Sequence, residues 1–141
     1  AGSNVRKASN ALSRIYLNAR RNNQISSCVV LQSVSAQDGY RSGEDAFLLI
    51  ESEAKPEVAV YTAADGEALS IQCVHSASRI PVGFFMKSEG RVELSFQTQG
   101  NDWDGWRFVD SQTGKRYSLT ENITLDDVAS GSGRFYLEKE D

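Results

Sequence analysis

The chain has 141 residues, 40% of them hydrophobic and 24% charged, with only 2 prolines; these values fit one globular domain rather than a disordered linker. A net charge of -4 with scattered basic residues provides no positive field for a polyanion, so nucleic acid is excluded as an expected partner. No apolar run reaches the roughly 18 residues of a membrane span, so none is expected.

Residues 1–11 are small, polar and aperiodic, and read as a flexible tail or linker remnant ahead of a single domain over 12–141. The start lacks the apolar core of a signal peptide, so the chain is expected to be mature or excised. Ten short runs follow, at 12–19, 25–34, 58–61, 68–74, 80–86, 92–96, 106–109, 117–119, 123–125 and 135–137. Nearly all alternate apolar and polar residues with period two, and Gly, Asn, Asp and Ser separate them, which is the signature of half-buried strands. Strands spaced this closely leave no room for crossover helices. The predicted fold is therefore all-β, an antiparallel two-sheet β-sandwich of jelly-roll or Ig-like topology with about ten short strands.

Along the chain, Arg14, Arg20 and Arg21 sit near Asn22 and Asn23, where a solvated turn accounts for them. Cys28 and Cys73 both fall within strand patterns, and a disulfide between them or two separate core thiols are both consistent with that placement. A bond would indicate an oxidising compartment. The loop 37–46 gathers Asp38, Glu44 and Asp45 with two glycines and Tyr40. Its carboxylates suit Ca²⁺ as hard oxygen donors, yet the spacing departs from the helix-loop-helix calcium pattern. The favoured reading is structural, with the glycines taking positive φ and the acids accepting backbone N–H bonds. The stretch 45–50 fits either a short helical turn or another strand.

Ile80, Val82, Phe84 and Met86, followed by Val92, Leu94 and Phe96, read as two strands of one hairpin with a single wet face. Next comes Asn101-Asp102-Trp103-Asp104-Gly105-Trp106, which contains both tryptophans. An indole face beside amides and carboxylates is what sugar-binding surfaces use. Trp106 opens an apolar alternation and belongs to the core, which leaves Trp103 as the platform, with Asn101, Asp102 and Asp104 taking hydroxyls. Residues 110–115 read as a hairpin connection with Asp110 at its start and Gly114 in the left-handed position.

No catalytic constellation emerges. Gly114-Lys115 is not a phosphate loop, because position 109 is Val, Arg116 follows and no helix comes after. Residues 130–133 lack dinucleotide spacing and read as a turn before the last strand. The lone His75 has no nucleophile elbow to serve, cysteines inside strands are inert, and two cysteines with one histidine do not make a zinc site. The sequence therefore predicts no enzyme and no required cofactor, Ca²⁺ being the one weighed.

Several motifs occur in a fixed order: Asp38-Gly39-Tyr40-x-x-Gly43-Glu44-Asp45-Ala46, Val60-Tyr61-Thr62, Ala68-Leu69-Ser70-Ile71, Ile80-Pro81-Val82-Gly83-Phe84, Asp110-x-x-Thr113-Gly114 and Gly133-Arg134-Phe135-Tyr136-Leu137. In order and spacing, over residues 12–137, they resemble the C-terminal β-sandwich region of large Bacteroidetes surface and secreted proteins. The resemblance implies a cell-surface or extracellular setting in the bacterial envelope and carries no catalytic residues. Arg41 stands where similar sequences carry an acid, which argues further against a metal role for that loop. The implied function is that of a noncatalytic accessory domain serving protein–protein contact, assembly or presentation. Its partners would be the other domains of a larger parent protein, or a glycan or a host or envelope protein. The alternative is a carbohydrate-binding module centred on Trp103.

Overall fold

A computed structural model describes residues 13–32, 46–47, 57–74, 78–100 and 103–140. Among them there is no helix. The strands are β1 (Ser13–Arg21), β2 (Gln24–Gln32), β3 (Ala46–Phe47), β4 (Val58–Ala64), β5 (Glu67–Val74), β6 (Arg79–Met86), β7 (Gly90–Gln99), β8 (Trp106–Asp110), β9 (Lys115–Ser118), β10 (Ile123–Val128) and β11 (Gly131–Lys139). The all-β prediction is what the structure has, and the stretch 45–50 contains a strand at its second and third residues.

The strands are hydrogen-bonded in one unbroken path, β10-β7-β1-β2-β5-β4-β6-β11-β8-β9, with β3 added to β5. Two separate sheets were expected; instead a single sheet curls around one core. The ends of the path, β9 and β10, are consecutive in the chain and joined by residues 119–122, which brings the two edges back towards each other in a nearly closed barrel. One ladder among the described residues is parallel, β2 with β5. The others are antiparallel.

The hairpin expected from 80–86 and 92–96 does not form. β6 pairs with β4 and β11, whereas β7 pairs with β1 and β10. The alternation was legible because both strands point apolar residues at the same interior: Ile80, Val82, Phe84, Val92 and Leu94 are all at most 1% exposed. Alternation reports which face is buried and is silent about which strand lies alongside. The turn after Met86 carries the chain from one wall of the barrel to the other.

The interior is one cluster to which both walls contribute. Phe108 stacks on Phe135 at 5.5 Å between centroids, and Phe84 meets Phe135 edge-on at 5.4 Å. Such pairs add about 0.5–1.5 kcal/mol beyond burial of their area. The hairpin at 110–115 forms as predicted, with Gly114 at φ 76° and Asp110 Oδ1 accepting from Gln112 N at 3.1 Å. Residues 131–133 are not a turn ahead of the last strand but an irregularity within β11, where the register against β6 shifts between Gly131 and Phe135. Gly131 and Gly133 take φ of 124° and 109° there, a conformation that costs a side chain strain.

Candidate functional site

The outer side of β10, β7, β1 and β2 carries a slot of about 420 Å³, and strand register explains its shape. In antiparallel ladders, residues directly opposite share a face, and side chains two apart on one strand form the next row. Ala19 is opposite Leu94, and Leu94 opposite Ile123; their side chains point into the core, so only their backbone floors the slot. One wall is the row Arg20, Glu93 and Thr124, each opposite the next. The other is Asn18 opposite Ser95, with Asn122 just before β10 completing the lining.

The rows continue onto β2, where Ser27 is opposite Asn18 and Ile25 opposite Arg20. Ser27 Oγ donates to Asn18 Oδ1 at 2.6 Å, fixing the amide so that its NH₂ group is turned away from Ser27. Ile25 is 70% exposed, the most exposed large apolar residue among those described. Arg20 faces Glu93 across the ladder, and among the described residues neither enters an ion pair. The slot thus holds one positive and one negative side chain, two amides, two hydroxyls and an apolar ledge at one end.

Beside it lies a second hollow of about 350 Å³, lined by Arg20, Arg21, Asn22, Arg91 and Glu93. Two of its cations are engaged. Arg21 donates to Arg91 O at 2.8 Å and Ser88 Oγ at 3.3 Å, and Arg91 Nε reaches Asp126 Oδ1 at 2.9 Å. These contacts tie the β1–β2 turn to β7, and they leave Arg20 as the cation facing the slot.

The most strongly held charged pair is elsewhere and serves the fold. Asp110 is 2% exposed and takes a two-pronged contact from Arg134, Nε to Oδ1 and Nη2 to Oδ2, each at 3.0 Å. Arg134 Nη1 also donates to Asp127 O at 2.9 Å. Burial pushes the Asp110 carboxyl up, but the Arg134 hydrogen bonds and charge, with those from Gln112 and Thr113, hold it below the ordinary carboxylate range. The pair clamps β8 and β11 to the end of β10. All of its carboxylate oxygens are engaged, so it offers no base.

The sequence-predicted residues fare differently. Trp103 is 5% exposed and meets Trp106 edge-on, centroids 5.2 Å apart. The ring is a core side chain and not a sugar platform, because the turn at 103–105 folds it onto β8, where Trp106 N donates to Trp103 O at 3.2 Å. Asp104 is exposed, while Asn101 and Asp102 lie outside the described residues. The proposed calcium ligands Asp38, Glu44 and Asp45, and His75, also lie outside them. Among the described residues no group of three or more His, Cys, Asp or Glu is arranged to hold a metal.

The disulfide does not form. Val30 is opposite Gln72 and both are buried, whereas Leu31 is opposite Cys73 and both are half-buried. Cys28 shares the inner face with Val30, so it projects from the opposite side of the sheet to Cys73. Burial pushes the Cys28 thiol up to about 12, which leaves it unreactive.

Sequence reasoning missed Asn18, Arg20, Glu93, Ser95, Asn122 and Thr124 as a group. Each was visible as the polar half of an alternation, but no local signal states that β7 lies between β1 and β10. No family model, curated protein or solved structure matches the chain.

Proposed function

We propose that the chain is a noncatalytic accessory domain of a bacterial surface or secreted protein, its curled sheet acting as a two-walled sandwich that works by contact. It sits at the cell surface or outside the cell, joined to other domains of a larger parent protein, and presents the outer face of β10, β7, β1 and β2 to a partner. The resemblance described above supports the setting. The observation that carries the reading is Ile25, 70% exposed on a regular strand and directly opposite Arg20. An apolar side chain beside an arginine on a rigid sheet is the kind of anchor that contact surfaces use. Among the described residues the slot lining has one carboxylate, Glu93, and one guanidinium, Arg20, groups that suit contact.

The test couples the chain to beads and measures adhesion to bacterial-envelope and host-matrix surfaces. Replacing Ile25→Asp together with Arg20→Glu should abolish adhesion, while Phe85→Ser, at an exposed apolar residue on the outer side of β6, should leave it intact. Equal adhesion by the wild type and the double variant would refute the reading.

A further inference from the structure

We infer that the slot between the two polar rows binds a short neutral oligosaccharide, lying across the strands with its apolar ring face on Ile25. This rests on the reading of that face as the contact surface, and it names the ligand class. The slot crosses β10, β7, β1 and β2, three spacings of about 4.8 Å, so it runs roughly 14 Å. Its walls stand two residues apart along each strand, about 6.6 Å between rows. A volume of about 420 Å³ falls within the roughly 300–1,000 Å³ of small-ligand sites.

Three features select the chemistry. Ile123 stands on β10, the end strand of the path, but Ala19 on β1 and Leu94 on β7 floor the middle of the slot, and both of those strands are paired on each side. A peptide seeking backbone partners by strand addition finds them taken there, and recognition falls to side chains. Those side chains present both kinds of hydrogen-bonding group: Arg20 donates only, Glu93 accepts only, and Asn18, Asn122, Ser95 and Thr124 do both. Ligands carrying a hydroxyl at successive ring carbons need such a mixed set, since each hydroxyl both donates and accepts. Finally, Arg20 and Glu93 lie directly opposite each other, so their charges cancel within the slot. An anion would gain Arg20 and meet Glu93, and a cation the reverse, which leaves a neutral ligand as the best match.

Ser27 adds a positioning role. By accepting no bond from Asn18 and donating into its Oδ1, it orients the amide before any ligand arrives, so little ordering is left to the binding step.

The test titrates the ¹⁵N-labelled chain with cellotriose, xylotriose, mannotriose and maltotriose, each up to about 1 mM, where binding is still worth about 4 kcal/mol. At least one sugar should give saturable amide shifts clustered at residues 18–20, 93–95 and 122–124. Asn18→Ala, an exposed-face change, should weaken that binding about tenfold, the effect of one hydrogen bond to a preset group. Ser95→Trp, which fills the slot, should abolish it while circular dichroism stays native. Absence of shifts with all four sugars, shifts mapping to another face, or full binding by Ser95→Trp would each overturn the inference. If the bead adhesion is lost in the Ile25/Arg20 double variant while no sugar shifts the slot, the ligand class is wrong and the contact reading stands. If adhesion ignores that variant, the contact reading itself falls.

Discussion

Asp110→Asn should destabilise the fold by about 3 kcal/mol through the clamp on Arg134. The substitution keeps the shape and one acceptor oxygen, which can still take the Gln112 N–H at 3.1 Å. It replaces the other oxygen with an NH₂ group facing the Arg134 Nη2 donor, where a bond of 3.0 Å existed. Breaking a buried ion pair costs roughly 3–5 kcal/mol when the surviving charge is stranded. Here the Asp110 side chain is 3% exposed and that of Arg134 20%. Arg134 also keeps its bonds to Asp127 O and Asp126 O, so the lower end of that range applies. For a chain of this length about 3 kcal/mol corresponds to a fall in Tm on the order of 10 °C.

The assay is urea denaturation followed by the fluorescence of the buried Trp103 and Trp106, with an Asp110→Asn/Arg134→Met double variant to close a mutant cycle. Coupling below about 1 kcal/mol would refute the argument, since it would place the pair with ordinary surface bridges. The pH dependence supplies an independent check. The Asp110 carboxyl is held below its ordinary value in the folded state. Its contribution is therefore fully present above the unfolded carboxyl value of about 3.9 and is lost as pH falls through the lower folded value. The stability gap between wild type and Asp110→Asn should be constant near neutrality and shrink below about pH 4.

The other predictions concern a packed contact on the outer side of β4 and β6 and a buried thiol on the inner face of β2. A Cβ on Gly83 would overlap the Tyr61 ring, which is 6% exposed and sits against Phe85 with centroids 4.9 Å apart. Gly83→Ala should cost about 1–3 kcal/mol in the same urea assay, and Tyr61→Leu should recover part of that loss if overlap is the cause. Cys28, buried with its thiol pushed up to about 12, should resist Ellman's reagent at pH 8 in the native chain and react once urea unfolds it. Rapid native labelling at Cys28 would contradict its place on the inner face.

The core was legible in the sequence because period-two alternation is a direct print of a sheet with one buried face. Ile80 to Phe84 and Val92 to Leu94 were assigned to the correct side without any knowledge of their neighbours. What alternation cannot encode is pairing. β6 and β7 follow each other with a short turn between them and look like a hairpin, yet each completes a different wall. The choice is made by contacts far apart in sequence, such as Leu94 with Ala19 and Val82 with Thr62. Trp103 failed for a related reason. Its neighbours Asp102 and Asp104 look like a wet loop, but a tight turn places the indole on Trp106, and local polarity carries no information about that direction.

The slot is the product of two registers, and this explains why no motif announces it. Arg20 faces Glu93, and Glu93 faces Thr124, only because β1 and β10 are both aligned with β7 at those residues. Shift β10 by one residue against β7 and Ile123 would replace Thr124 in the wall while Thr124 turned into the core. The burial of Ile123 at 7% and Leu125 at 2% holds that register, so the hydrophobic inner face fixes the polar outer one. The polar residues are thus aligned by side chains they never touch. A variant that repacks the interior of β10 should disturb the slot before it disturbs the fold, and the residues that define the binding face are set, in energetic terms, by the core beneath them.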